Sequence, residues 1–368
     1  MLLLRKYIVK ELLLHFCAVI SLLFLISSSN KFIGLLAKIA SGKLPFSMVC
    51  KVMLLSSPEI LALLMPLSLF IATLFVVSKL YADNEIIVLF ASGLSWNFLI
   101  TTTTIIAVLV ATLTSILTLW VSPALIKQRE EMLSSGQSIA IMNSVIPGQF
   151  QVVNDGKQVF YVGGIDDNNK INNVFIASNV QAQDGANLVI TAKFGRIEAQ
   201  DAKDGNFLIL QHGHRYSGMV GNRNFSVIDF EEYGKQLFPT ASSGSNLHGI
   251  QKTKEIWNSK VPEEKAEREW RLAMPISVII LSILAVSLAK VIPRQGRFAK
   301  FLPAILLYII YCNAMLCMRR LIAINTINHL LGMWVVHLMF FVLATFLLLH
   351  SSGWLLYFRG KIFNARFN

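Results

Sequence analysis

Two groups of residues in this chain have types and spacings that could do chemistry. The first is a set of bases beside long apolar runs: Lys31, Lys38, Lys43, Arg319 and Arg320. Lys31 and Lys38 are seven residues apart, so a continuing helix shows both on one face. Lys43 follows the turn residues Ser41-Gly42, and Arg319-Arg320 close a later apolar run at the same level. Such bases could hold an anionic ligand, or simply snorkel to the polar boundary of a bilayer. The second group is Asp83, Glu85, Ile86, Leu89, Phe90 and Gly93, inside the interval from Lys79 to Ser95. Asp83 or Asn84 can cap a short helix, Glu85 suits its first turn, and Gly93 can end it. Ile86 to Phe90 are five apolar residues in a row and need cover, either a bilayer surface or a groove in a partner.

Other chemistry is not expected. The polar middle of the chain has no Gly-x-Ser-x-Gly and no His-Glu-x-x-His. His212-Gly213-His214 would put two imidazoles on one face of a strand, but no third ligand is evident, so no metal site is expected. A Gly-x-x-x-x-Gly-Lys-Ser/Thr loop is also missing, since Lys43, Lys157, Lys235 and Lys361 are followed by Leu, Gln, Gln and Ile. The chain itself is then not an enzyme and carries no cofactor. Any ATP and Mg that power it are bound by another subunit.

The elements that position these residues follow from composition. With 54% hydrophobic and 15% charged residues and a mean hydropathy of +0.58, the chain reads as an integral membrane protein. Residues 122–270 hold 17 of the 21 acids and 15 of the 33 bases, so the positive charge belongs to the rest. Bases that punctuate apolar runs exclude a soluble nucleic-acid binder. Six stretches approach the ~20 residues that cross ~30 Å of hydrocarbon: Leu12 to Asn30, Val52 to Ser78, Trp96 to Val121, Leu272 to Ala289, Phe301 to Met318 and Leu331 to Phe358. The first is expected to remain uncleaved, because no small-x-small site follows it and the apolar pattern runs on to Leu36.

Residues 1–121 therefore form three spans with a short inner helix at about 83–95, residues 122–270 an exported segment, and residues 271–368 three more spans. With both termini inside, the inner short loops and ends hold eleven bases against six in the outer short loops, which favours that orientation. Five of the outer bases, Lys31, Lys38, Lys43, Arg319 and Arg320, stand where the rule disfavours them and suggest an anionic ligand. Glu59 follows Ser56-Ser57-Pro58, a helix-start signature with Ser57 as cap, which puts the acid at the outer interface. All four cysteines lie in or beside the spans, so no disulfide framework holds the exported segment.

Within about 138–240 the pattern changes to short β-type stretches. They are Gln149 to Val153, Gln158 to Val162, Asn173 to Ala177, Leu188 to Lys193, Phe207 to Leu210 and Phe225 to Phe230. Asn154-Asp155-Gly156 marks a hairpin between the first two. Six antiparallel strands predict a sandwich or jellyroll. Thr240 to Ser245 reads as a linker, and Lys254 to Arg271 as one polar helix into the fourth span. The fold class is thus membrane α-helical, with six helices flanking an inserted all-β domain.

The chain resembles the lipopolysaccharide export permease family, whose two branches are LptF and LptG, and is nearer the LptF branch. The resemblance rests on Arg5-Lys6-Tyr7-Ile8-Val9-Lys10-Glu11, on Pro58-Glu59 with Leu64-Met65-Pro66-Leu67-Ser68-Leu69, and on Lys79-Leu80-Tyr81 with Glu85-Ile86 and Gly93-Leu94-Ser95. Glu269-Trp270-Arg271, Pro293-Arg294-Gln295-Gly296-Arg297, Leu302-Pro303-Ala304 and Leu307-Tyr308 extend it over nearly the whole chain. It implies a multi-pass protein of the bacterial inner membrane with cytoplasmic termini and a periplasmic β-jellyroll. It also implies an LptG-like second permease, an LptB-like ATPase dimer, an LptC-like periplasmic subunit and lipopolysaccharide as cargo, with no nucleic acid. The segment around Asp83, Glu85 and Gly93 then matches the coupling helix that docks into the ATPase, and Lys31 a base associated with lipid A phosphates. Where the family pattern places a second base three residues after Lys31, this chain has Gly34. ATP-driven closure of the ATPase is expected to pull on the coupling helix, move spans one and five, and expel the lipid toward the β domain.

Two other readings stay open at this stage. One is a permease of another ABC class moving a different lipid or a peptide, although such proteins usually place the large domain after the first span. The other is a scaffold without transport, which leaves the inner apolar loop and the outer bases without a role.

Overall fold

In hydrocarbon no water satisfies backbone N–H and C=O groups, so long apolar segments must bond internally as helices. The computed structural model shows this over the residues it describes: 2–40, 44–93, 96–144, 147–153, 158–165, 170–178, 187–199, 206–218, 225–236, 251–290, 300–329 and 331–351. The helices are α1 (Leu2–Ala40), α2 (Val49–Ala82), α3 (Glu85–Ala91), α4 (Trp96–Ile116), α5 (Ser122–Ser144), α6 (Thr253–Ile256), α7 (Pro262–Leu288), α8 (Phe301–Ala323) and α9 (Gly332–Ser351). Six helical segments are long and apolar enough to cross a membrane, and each overlaps one of the six expected spans. The chain divides into a helical unit (Met1–Phe32, Met53–Arg129, Asn246–Asn368) and a second unit (Ile33–Val52, Glu130–Ser245) that holds the sheet.

Helix α7 is the most enclosed span of the helical unit, and it packs against α4, α8 and α9. Its Leu281, Leu284 and Ala285 join Phe70, Leu74, Val77, Met333 and Phe340 in the larger apolar core. A second cluster gathers Leu12, Leu69, Ile106, Val110 and Val278 from α1, α2, α4 and α7. Polar groups inside this apolar mass must find partners. Tyr311 Oη and His337 Nδ1 do so across α8 and α9, 2.9 Å apart, while His337 Nε2 is left without a hydrogen-bond partner among the described residues.

Two expectations are corrected here. Helix α2 does not begin at Ser57 but at Val49, after a 3₁₀ turn at Phe46–Met48, so Pro58 lies inside it. Proline cannot donate to the carbonyl four residues back, and that Leu54 carbonyl instead accepts from Ser57 Oγ at 2.7 Å. The polar helix expected from Lys254 to Arg271 is broken: α6 stops at Ile256, and α7 starts afresh with Pro262 in its first turn followed by Glu263 and Glu264.

The break lets Arg271 act as a staple. Its side chain is only 4% exposed. Nε donates to Glu267 Oε1 at 2.9 Å, Nη1 to Thr253 Oγ1 at 3.0 Å, and both terminal nitrogens to the Gln251 carbonyl at 3.2 Å. Thr253 Oγ1 donates in turn to the Leu119 carbonyl, inside a π-helical turn at Leu117–Val121. Thr118 Oγ1 donates to the Arg271 carbonyl at 3.2 Å. One guanidinium thus ties the approach segment, the end of the third span and the start of the fourth.

Six strands form the sheet of the second unit: β1 (Phe150–Val153), β2 (Gln158–Ile165), β3 (Ile171–Ser178), β4 (Asn187–Ala199), β5 (Asn206–Gly218) and β6 (Phe225–Gln236). Each pairs antiparallel with the next in sequence, so the expected sandwich or jellyroll takes the form of one meander among the described residues. Turn Asn154-Asp155-Gly156 and the Thr240 to Ser245 linker lie outside those residues.

The meander is creased. Pairing skips one row, Gly163, Asn173, Lys193, His212 and Glu231, while the register on both sides of it is unchanged. All five residues in that row are exposed, and none of the row after it, Gly164, Asn172, Phe194, Gln211 and Glu232, is buried. Inward alternation resumes only with Ile171, Gly195 and Leu210. Two successive outward rows bend the sheet toward its inner face. Val162, Val174 and Ile190 from one side then share a cluster with Ile171, Leu208 and Leu210 from the other. Positive φ at Asn173 (49°) and His212 (53°) supplies the change of phase.

His212 is therefore a crease residue, and His214 Nδ1 is held by Asp229. Among the described residues no group of three or more His, Cys, Asp or Glu could hold a metal.

Two outcomes follow from these contacts. A Cβ at Gly213 would lie 2.1 Å from the Thr191 carbonyl oxygen and 2.6 Å from Phe230 Cζ. Gly213→Val should destabilise β4 to β6 by about 1–3 kcal/mol, seen as faster amide exchange of these strands in the intact protein. Arg271→Lys should lower the temperature at which the detergent-solubilised chain aggregates, because one ammonium cannot serve Glu267, Thr253 and Gln251 together.

Candidate functional site

The first candidate site lies at the bundle end that carries the N-terminal turns of α1. Asn84 stands at the N-cap position of α3 in a left-handed conformation (φ 60°) without the side-chain capping hydrogen bond its type suggests, and Gly93, at φ 87°, follows the helix as expected. Glu85 occupies the first turn, where the helix dipole favours a negative charge. The five-residue apolar run is split by helical periodicity. Ile86 is buried at 2% exposure, Leu89 and Phe90 are half-buried, while Ile87 and Val88 remain 55% and 66% exposed. Phe90 packs on Trp96 at 6.0 Å between ring centroids, and Tyr81 on the same ring at 6.1 Å. Asp83 is exposed, and Leu94 and Ser95 lie outside the described residues.

This short helix is tied to α1. The Glu85 carboxylate lies near Tyr7 of α1, close enough for its charge to be felt by the phenol. One turn further along α1, Glu11 accepts from Lys79 Nζ at the end of α2. Arg5 lies over the Phe98 ring at 5.6 Å. The arrangement can pass a force on α3 to the first span through side chains rather than through a loop alone. Sequence reasoning noted Tyr7, Glu11 and Lys79 only as parts of motifs. Their partnership is a tertiary matter, since Glu11 and Lys79 are 68 residues apart.

The second candidate site lies about twenty residues further along α1, roughly 30 Å at helical rise. Lys31 Nζ stands 3.8 Å from Glu59 Oε2. Arg129 Nη1, from α5, donates to the same oxygen at 2.6 Å. Arg319 Nη2 donates to Glu267 Oε2 at 2.6 Å, and its guanidinium lies over the Trp270 ring at 4.8 Å. Neighbouring Glu269 accepts from Trp334 Nε1 at 3.0 Å and from Arg268. Arg320 is exposed in the last turn of α8. Lys38 is exposed on the continuation of α1, two turns past Lys31, as the seven-residue spacing predicts. Lys43 and the motif Pro293-Arg294-Gln295-Gly296-Arg297 lie outside the described residues.

Lys31 and Arg319 are thus each engaged by a carboxylate. Each carboxylate is also gripped by a second cation, Arg129 or Arg271, that sequence reasoning left out of the site. Arg129 counted only toward the charge of the polar segment, and nothing in the sequence tied it to Glu59. Within the helical unit, Lys31, Arg319 and Arg320 are cations with solvent access, of a type suited to a phosphorylated amphiphile.

The sequence matches the family model described as "Lipopolysaccharide export system permease LptF/LptG" over residues 6–350. Among curated proteins, the lipopolysaccharide export system permease protein LptF of Escherichia coli strain K12 is 28% identical over 344 residues, covering 92% of each chain. The protein of that name from Shigella flexneri matches to the same extent. Spans, inserted sheet and a family match over nearly its whole length agree, and this chain belongs to the LptF/LptG permease family.

Proposed function

We propose that this chain is a permease subunit of an ABC transporter that extracts lipopolysaccharide from the bacterial inner membrane and passes it, by way of its β domain, to a periplasmic bridge. The family match over residues 6–350 carries this reading. It is a multi-pass membrane protein, and both termini face the cytoplasm with the sheet in the periplasm. An LptG-like permease completes the pathway, an LptB-like ATPase dimer binds ATP and Mg, and an LptC-like subunit receives the lipid.

In this reading α3 is the coupling helix. Ile87 and Val88 are the residues it leaves uncovered, and a groove in the ATPase buries them. Nucleotide-driven closure of the ATPase then moves α3, and the Glu11–Lys79 ion pair, with Glu85 close to Tyr7, carries the motion into α1. Lys31, Lys38, Lys43, Arg319 and Arg320 receive the phosphates of lipid A, while the apolar flanks of α1 and α8 meet its acyl chains. These two are the least enclosed of the six spans.

The reading makes separable predictions. Ile87→Asp with Val88→Asp should abolish co-purification of the ATPase while the chain still inserts and keeps its second permease partner, because both side chains point away from the core. Ile86→Asp should instead reduce the amount of folded chain. Glu85→Ala should leave ATP hydrolysis by the assembled complex but lower lipid release about tenfold; wild-type release counts against the coupling role. Mass spectrometry of the purified complex, for its subunits and bound lipid, tests the whole proposal. Absence of an ATPase subunit or of lipopolysaccharide overturns it.

A further inference from the structure

Glu59 and Glu267 are built alike. Each bridges two cations from different helices: Glu59 joins Lys31 of α1 to Arg129 of α5, and Glu267 joins Arg319 of α8 to Arg271 of α7. In each triad one arginine is nearly enclosed, with Arg129 9% and Arg271 4% exposed. The other cation stands open to solvent, with Lys31 31% and Arg319 39% exposed. Those open cations belong to α1 and α8, the two spans with the least packing inside the bundle. So the two least enclosed helices are pinned near one end to better-packed ones, α2 and α7, and the pin is a carboxylate set on a fixed arginine.

We infer that Glu59 and Glu267 stand in for the phosphate of the cargo. Each carboxylate engages the base that a phosphate would take, and its buried arginine keeps the carboxylate charge paired when that base leaves. An arriving phosphate competes with Glu59 for Lys31 and with Glu267 for Arg319. One anion replaces another on the same cation, so no bare charge is exposed at any stage. The exchange releases α1 from Glu59 of α2 and removes the Arg319–Glu267 tie between α8 and α7, leaving only the Trp270 stack at that point, so cargo capture and loosening of the two spans become one event. The Lys31 contact opens first, because a 3.8 Å ion pair in partial solvent is weak. Arg319 stays oriented through its stacking on Trp270, ready to meet a phosphate with the same planar edge that now meets Glu267. Glu59 and Glu267 act here as positioning residues, and the inference rests on the reading of Lys31 and Arg319 as cargo-binding bases.

The test uses the assembled transporter in nanodiscs, with the four native cysteines of this chain replaced by serine and spin labels at Leu25→Cys on α1 and Leu54→Cys on α2, both exposed positions. Lipopolysaccharide should broaden the distance distribution between the labels, and its dephosphorylated form should not. Glu59→Gln should show the broad distribution without ligand and bind lipopolysaccharide about two- to fivefold more tightly, the worth of an exposed ion pair. Glu59→Asp should move both readouts the same way, less far, since it keeps a charge for Arg129 but reaches less toward Lys31. Unchanged or weaker binding by both variants, or equal broadening by the dephosphorylated lipid, overturns the exchange. Lys31→Gln should weaken binding; if it does not, the base assignment itself fails, whatever the Glu59 variants do.

Discussion

The cost of an ionised group in hydrocarbon, at least about 2.5 kcal/mol at the centre of a span, governs where everything else in this chain can be. Ion pairs of the helical unit collect toward the two ends of the bundle, around Glu11 and Lys79 at one and around Glu59, Glu267 and Glu269 at the other. Between them lie apolar clusters, with polar groups such as Tyr311 and His337 paired to each other. A transporter of this kind therefore has its handles only at its ends. In the function proposed above, force enters through one set of charges and cargo is recognised by the other, and α1 runs continuously from the first set to the second.

Much of this architecture was legible in the sequence. Hydrocarbon thickness and the need for internal backbone bonding fix the number and place of the spans, and period-two alternation locates the six strands, although β4, β5 and β6 run to 13, 13 and 12 residues, well past the expected stretches, because the crease interrupts the alternation. Boundaries failed where a tertiary contact competes with a local signal. Ser57-Pro58-Glu59 has the residues of a helix start, yet α2 runs through it, because Ser57 Oγ occupies the carbonyl that Pro58 leaves free. Lys254 to Arg271 has the composition of one helix, yet the buried guanidinium of Arg271 draws the Gln251 carbonyl and Thr253 toward it, and the helix is interrupted before Pro262.

The candidate sites were legible in kind but not in pairing. A capped five-residue apolar run identifies α3, but only the structure shows that Ile86 turns inward while Ile87 and Val88 do not. Bases on the side where they are disfavoured mark Lys31 and Arg319, yet the carboxylates that meet them come from distant points in the chain: Glu59 lies 28 residues beyond Lys31, and Glu267 lies 52 residues before Arg319. Separation of that order is invisible to any local window.

The crease through the sheet restricts how such a domain can change over evolutionary time. Its break in alternation falls on the same row of five adjacent strands, so a residue added to or lost from any one strand would carry that strand's break out of line with its neighbours. Length changes are tolerable only where no such alignment is at stake, in the hairpin connections. Related domains should therefore differ in the size of their turns while the strands between them stay the same length.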